Sequence, residues 1–381
     1  MNIAADLQRV SLATFSVLGI GCCLLLVVLA ASHFVLARLT GRDSAATTTV
    51  LLRAEKYLPA SASLQATLAE SLRPTDLSAA ESHAMQAVKL APDNHKYRLT
   101  LASIKEDQGD FRAAEESLRQ AAELAPYNAV TRLRLAKFLG DHGRVAEAVT
   151  EFRRATVTDH ASLETSLDYL WQITKGDVQA VIAATNDDSR SRYILANFLL
   201  KQHHPVEATL VFGEIKDRTI LDSSEGATFL NSLMTAGELT LTHVLWLKLV
   251  GAAEGTLVWN GSFEEDPFRN FTHFDWTLEP SEFARVAIDP NSGHTGSRSL
   301  RLDFLGRDTA VLRNEIRQLV LLEPGVRYRL QGYAKTDGVI MAPGPRIVAT
   351  AVKGSLLLAA TPSIAEGANG WQLLTADFTT P

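Results

Sequence analysis

Apolar residues follow three patterns along this chain. Over residues 11–37 they run together without a single Asp, Glu, Lys or Arg. From about residue 50 to 250 they recur at intervals of three and four, which places them on one side of a helix. From about residue 255 they alternate with polar residues in short runs set off by Gly and Pro, the pattern of strands joined by turns. About 20 apolar residues suffice to cross a bilayer, so residues 1–40 are expected to form a single-span membrane anchor. A cleaved signal peptide with its small-residue site at Ala30-Ala31-Ser32 is the competing reading. The apolar run continues through Phe34, Val35 and Leu36, past that site, and this length favours the anchor. Arg9 lies on one side of the run and Arg38 and Arg42 on the other, which leaves the orientation open. Residues 41–49 are small and polar and are expected to be a linker.

Within the helical stretch one pattern occurs twice. Leu77-Ser-Ala79-Ala80-Glu81 leads through Ala87 to Leu90-Ala91-Pro92 and Asn94. Phe111-Arg-Ala113-Ala114-Glu115 leads through Ala121 to Leu124-Ala125-Pro126 and Asn128. Every matched pair has the same offset, and Arg98, Leu99, Leu101, Ala102 and Gly109 recur as Arg132, Leu133, Leu135, Ala136 and Gly143 in the same register. Small residues allow two antiparallel helices to approach closely, and the Pro ends one pair and turns the chain into the next. The offset, roughly 34 residues, and the residue pattern resemble the tetratricopeptide repeat, a helix–turn–helix unit. The resemblance covers 77–158 and implies a helical solenoid that binds other proteins rather than a catalyst. In that family the first helix of each pair lines the groove, so the resemblance turns Lys96, Ser103, Glu106, Lys137 and Asp141 toward a protein partner.

The repeats are less regular on either side. Leu51, Leu52, Leu58, Leu64 and Leu68 suggest a degenerate first unit over 50–72, punctuated by Pro59 and Pro74. Beyond residue 160, Leu195-Ala196-Asn197-Phe198-Leu199 followed by Ala208 and Phe212 echoes Leu135 to Leu139 followed by Ala148 and Phe152. The offset is 60 rather than 68, so a shortened unit is expected near 161–185. A last helical pair is expected over 223–250, as atypical ends cap a solenoid. The solenoid therefore spans 50–253.

The strand-like stretches include 299–304, 326–330 and 371–373, with turns at 290–293, 323–325, 342–345 and 367–370. Spacing of this kind indicates an all-β sandwich over 254–381. The segments "NGSFE" at 260–264, "FDW" at 274–276, "SGHTGSRSLRLDF" at 292–304, "LEPGVRYRLQGYAKTDG" at 322–338 and "GWQLLTADF" at 370–378 resemble the carbohydrate-binding-module, or galactose-binding-like, jelly roll. That family has one or two more strands after the tryptophan strand, so the resemblance implies a sandwich incomplete at its C-terminus. It also implies sugar-contacting residues, for which Phe271, Trp276, Tyr333 and Arg346 are the candidates. Stacking faces and hydrogen-bonding groups suit a sugar, although the same aromatic residues could fill the interior. Glu264 and Asp266 stand where related jelly rolls carry a structural calcium, a cation that favours carboxylate oxygens.

Composition narrows the function. The chain has 381 residues, 46% hydrophobic and 21% charged, with a net charge of −6. From residue 255 onward it carries 12 Lys and Arg against 14 Asp and Glu, which offers no basic surface for nucleic acid. The only cysteines, Cys22 and Cys23, are adjacent and lie in the apolar run, so there is no disulfide framework or thiol nucleophile. No nucleophile elbow, HExxH or phosphate loop is present. Glu264-Glu265-Asp266 reads as an acidic turn rather than glycosidase carboxylates, and His203-His204 as a turn between helices. No cofactor is expected beyond the possible calcium.

These features predict a transmembrane helix, an all-α tetratricopeptide-like solenoid and an all-β jelly roll in that order. The expected function is a non-enzymatic, membrane-anchored scaffold of bacterial envelope or extracellular polysaccharide assembly or export. Its soluble part would be periplasmic or extracellular, with envelope proteins in the repeat groove and polysaccharide on the terminal module. Two alternatives stand beside it. One is a structural assembly factor whose sandwich binds no sugar, and the other is part of a glycan-active enzyme with a catalytic domain elsewhere.

Overall fold

The computed structural model describes residues 44–157, 159–253, 255–306, 315–340 and 344–381. The expected anchor at 1–40, with Cys22 and Cys23, lies outside the described residues. Among the described residues no helix is long and apolar enough to cross a membrane. The chain divides into two compact units, with the boundary between Ala184 and Thr185.

The first unit is helical: α1 Ser44–Glu55, α2 Ala62–Leu72, α3 Leu77–Leu90, α4 His95–Asp107, α5 Phe111–Leu124, α6 Ala129–Asp141, α7 Val145–Thr156, α8 His160–Ile173 and α9 Val178–Ala183. α1 begins inside the stretch expected to be a linker, in a run whose alanines favour a helix. α3 and α5 start and stop in the same places of the repeat, as do α4 and α6. Side chains set those starts. Asp76 and Asp110 cap α3 and α5 by accepting from backbone N–H groups of the first turn, and Asn94 and Asn128 do the same for α4 and α6. At the next equivalent position Arg144 makes no side-chain cap, and Glu147 supplies a negative charge in the first turn of α7 instead. Gly109 and Gly143 turn each pair at φ of 77° and 75°. Glycine adopts that left-handed conformation without strain.

The core repeats with the caps. Ala80, Ala114 and Ala148 are fully buried, as are Ala102 and Ala136. Ala84, Leu118 and Phe152 form a second buried row that grows larger along the chain. Each fully buried Leu of this kind, such as Leu135 and Leu139, stabilises the unit by roughly 1.5–3 kcal/mol. α9 is only six residues long, the shortened unit that the offset of 60 implies.

The second unit opens with helices α10 Ser189–Lys201, α11 Pro205–Phe212, α12 Ser224–Thr235 and α13 Leu239–Val250, with a 3₁₀ turn at Arg218–Asp222. His203, at φ 63°, and His204 form the turn before α11. The rings of Phe212 and Phe229 stack at 4.2 Å and 6° between α11 and α12. Trp246 of α13 is completely buried and meets Phe268, Phe271 and Phe274, with centroids 5.2, 5.7 and 6.5 Å away. Asp222 also reaches this segment: its carboxylate accepts from Arg269 N at 2.8 Å and its carbonyl accepts from Asn270 Nδ2. Helices and strand-rich chain thus share one core in this unit.

The strands are β1 Thr277–Leu278, β2 Ala284–Asp289, β3 Ser299–Phe304, β4 Ile316–Arg317, β5 Arg327–Val339, β6 Val348–Thr350, β7 Leu357–Ala360 and β8 Gly367–Thr379. Among the described residues they form four antiparallel two-stranded sheets, β1–β4, β2–β3, β5–β8 and β6–β7. The jelly roll expected over 254–381 would join such pairs into two facing sheets, and among the described residues each strand pairs with one other. Alternation identifies a strand, whereas its partner is set by contacts far away in the sequence. β5 and β8 are 13 residues each and pair along their length, Arg327 opposite Thr379, Arg329 opposite Asp377 and Tyr333 opposite Leu373, with bulges beyond Ala334.

Candidate protein-binding surface

The first helices of successive pairs, α2, α4, α6 and α8, are joined by polar contacts. Arg73, at the end of α2, donates from Nη2 to Asp107 Oδ1 of α4 at 3.0 Å, and Thr100 Oγ1 donates to Glu70 Oε1 at 2.8 Å. Arg134 of α6 reaches back to Ser103 Oγ at 2.9 Å and Glu106 Oε1 at 3.2 Å on α4. Tyr169 of α8 donates to Asp141 Oδ1 at 2.7 Å and lies 3.0 Å from Lys137 O on α6. Lys137 Nζ stands 5.9 Å from the centre of the Tyr169 ring, within reach of the attraction between a cation and an aromatic face. The Arg73 guanidinium holds the Asp107 carboxyl below its usual range, and burial followed by the hydrogen bond to Asp141 pushes the Tyr169 hydroxyl upward.

The expected groove residues are thereby brought onto consecutive first helices. Ser103 and Glu106 are half-buried and hold Arg134, while Asp141 holds Tyr169. Lys96, at the start of α4, is exposed, and its equivalent one period later is Val130, 63% exposed. Lys137 is exposed as well. Sequence reasoning missed Glu70, Arg73, Arg134 and Tyr169. A signal for one of them was present, since Arg73, Asp107 and Asp141 are spaced by the repeat period.

The second helices carry their own ion pairs. Arg144 and Arg119 both bind Glu115 and Glu147, with the four side chains bridging α5 and the N-terminus of α7. Glu151 is buried and is held by Arg132 and Arg154, each at 2.7 Å. Such a carboxylate requires its partners, since an unpaired buried charge is costly.

In the second unit the proposed sugar residues have different fates. Phe271 is 1% exposed and packs on Trp246, so it is core and offers no face to a ligand. The physical reason is its position beside a helix that supplies a large buried indole, which the local sequence of the strand-rich region does not reveal. Trp276 is half-buried, lies 4.9 Å from the Phe263 ring, and donates from Nε1 to Asn260 O at 3.0 Å. Tyr333 is 47% exposed and stacks on His294 at 3.6 Å and 12°, with Trp371 edge-on to His294 at 5.7 Å. Arg346 is exposed, next to Ile347, whose side chain lies over Gly332 on the other face of β5.

The "NGSFE" and "FDW" segments form a turn clamp. Asn260, at φ 49°, donates from Nδ2 to Glu265 O at 2.7 Å and accepts from Glu265 N at 3.1 Å. Asp275 is fully buried and accepts from Phe268 N at 3.0 Å, and burial pushes its carboxyl upward. Glu264 and Asp266 are both engaged by the loop at 296–298. Glu264 accepts from Ser297 N, Arg298 N and Ser297 Oγ at 2.9–3.0 Å, and Asp266 pairs with the Arg298 guanidinium. Among the described residues no group of three or more His, Cys, Asp or Glu side chains could hold a metal ion.

The first unit therefore belongs to the class of helical-repeat proteins, in which paired helices stack by a fixed period. Residues 105–163 match the tetratricopeptide repeat family. No curated protein matches the chain. Among solved structures it is similar to MamA, at 13% identity over 51% of this chain and 92% of MamA, with a TM-score of 0.29. It is similar to PilF of Pseudomonas aeruginosa at 14% identity, over 51% of this chain and 93% of that one, with a TM-score of 0.29. PilW, a type IV pilus biogenesis factor, matches at 20% identity over 50% of this chain and 92% of its own, with a TM-score of 0.27. Superpositions at that level carry no argument about what this chain does.

Proposed function

We propose that this protein is a non-enzymatic scaffold that recruits other proteins through the face shared by α2, α4, α6 and α8. The observation that carries this reading is the row of contacts from Glu70 and Arg73 through Asp107, Arg134 and Asp141 to Tyr169. These contacts tie one helix to the next and present Lys96, Val130 and Lys137 at exposed positions along a pre-ordered surface. A surface ordered before binding loses less entropy when a partner docks. The tetratricopeptide match over 105–163 supports the same reading.

On this proposal residues 1–40 anchor the chain in a membrane, with the remainder periplasmic or extracellular, and the partners are envelope proteins engaged in polysaccharide assembly or export. The strand-rich segment adds a sugar-binding surface, which the exposed Tyr333 and His294 rings and the half-buried Trp371 favour. The test is crosslinking of the full chain in cells, comparing the native protein with a Lys96→Glu, Val130→Asp double variant. Specific crosslinked envelope proteins that vanish in the variant, at unchanged stability, support the scaffold. An identical crosslinking pattern from both proteins would sink it.

A further inference from the structure

The outward face of β5 and β8 is unlike the rest of the strand-rich segment. Strand geometry puts every second side chain on one side, and on β5 the positions Arg327, Arg329 and Tyr333 are all exposed. Opposite them on β8 the same side carries Asp377 and, diagonal to Tyr333, Trp371. His294 comes over from the loop at 290–298 and layers its ring on Tyr333 at 3.6 Å. One end of the face is therefore aromatic and the other cationic. Arg329 and Tyr333 are four residues apart, about 13 Å at roughly 3.3 Å per residue.

Asp377 organises the cationic end. Arg329 Nε donates to Asp377 Oδ1 at 2.8 Å, and Arg327 Nη2 donates to Oδ2 at 2.9 Å. One carboxylate thus holds two guanidiniums side by side with one positive charge in excess, Arg329 giving it a second hydrogen bond from Nη2 to Oδ2 at 3.3 Å. A guanidinium fixed in this way is prepared for a second carboxylate, which it can bind through two parallel hydrogen bonds. The chain as a whole has a net charge of −6, so this local excess of cation is contrary to the general trend.

We propose that this face binds a carboxylated polysaccharide, with sugar rings on Trp371 and the Tyr333–His294 stack and carboxylates on Arg327 and Arg329. The inference rests on the sugar-binding part of the proposed function and gives it a substrate class and a location. The aromatic end selects a glycan over a purely acidic peptide, because the flat C–H faces of sugar rings pack on aromatic rings. The cationic end selects an acidic glycan over a neutral one.

The experiment is calorimetric titration of the full chain in detergent with oligomers of polygalacturonate, alginate and hyaluronate. Cello-oligosaccharide, polyglutamate and a single-stranded oligonucleotide serve as comparisons. At least one carboxylated glycan is expected to bind at least tenfold more tightly than the three comparisons, with affinity falling as salt rises. Arg329→Gln, Arg327→Gln and Tyr333→Ala should each weaken that binding about tenfold or more, with circular dichroism unchanged because all three side chains are exposed. Equal binding of cello-oligosaccharide would overturn the acidic specificity and leave a sugar-binding module standing. Equal binding of polyglutamate or the oligonucleotide would reduce the site to unspecific charge and overturn the proposal. Failure of every glycan would overturn both this inference and the sugar-binding reading, while the scaffold is judged separately by crosslinking. Unaltered affinity in all three variants would place any glycan site elsewhere and overturn the proposal too.

Discussion

The ring of Phe271 lies 5.7 Å from the indole of Trp246, and both are almost wholly buried. One residue comes from a helix and the other from the strand-rich segment, so this contact makes residues 185–381 a single folding unit. Phe271→Ala is expected to cost about 3–5 kcal/mol, read as a lower urea midpoint. A polypeptide of residues 185–381 should melt cooperatively, whereas one of residues 255–381 should not, since its aromatic residues would lose the helix that covers them. Cooperative melting of the shorter polypeptide would show the contact to be dispensable.

Two glycines test different physical constraints. A Cβ at Gly226 would stand 1.9 Å from the backbone oxygen of Ile220, and backbone cannot move aside as a side-chain tip can. Gly226→Ala should therefore cost about 3 kcal/mol or more. Gly109 has open space around its Cβ position but a φ of 77°. Gly109→Ala should therefore cost only about 1–2 kcal/mol. Denaturant titration of each variant checks the order, and a Gly109 effect larger than that of Gly226 would contradict it.

Tyr169 joins α8 to α6 through Asp141 and the carbonyl of Lys137. Tyr169→Phe keeps the ring and removes the hydroxyl, and should cost about 0.5–1.5 kcal/mol. Arg134→Ala removes the contacts to Ser103 and Glu106 and should cost about as much. Hydrogen exchange should rise at the α4, α6 and α8 junctions in these variants before the protein as a whole unfolds. No change in stability or exchange would mean the row of polar contacts does not order the helices.

Asp377 supplies a pH prediction. Hydrogen bonds from Arg329 and then Arg327 lower its carboxyl from the usual 3.8 to about 2. The folded value lies below the unfolded one, so the stabilisation is fully present above pH 3.8 and is lost as pH falls toward 2. Titration of the carboxyl by NMR should show this low value, and Arg329→Gln should move it back toward the ordinary range. An unaltered titration in the variant would show that Arg329 is not the main cause.

The acidic residues of the "NGSFE" region show how far along the chain the partners of a short motif can lie. The jelly-roll resemblance offers Glu264 and Asp266 to calcium, and in the fold both hold the loop at 296–298 through Ser297 and Arg298. Their partners lie 32 or more residues away, a separation that no local pattern encodes. Trp276 likewise directs its indole N–H to Asn260, where the sequence leaves it equally suited to a sugar.

The helical repeats are legible in the residues alone. Turn glycines and the caps Asp76, Asn94, Asp110 and Asn128 act within one or two helical turns, so local chemistry is enough to set where α3, α4, α5 and α6 begin and end. Strands β3, β5 and β8 are legible in part too, because alternation is also local. Folding in three dimensions settles which strands pair and that Phe271 belongs to the core beside Trp246. Those outcomes depend on contacts between residues distant in sequence, where many partners of similar chemistry compete and packing alone selects among them.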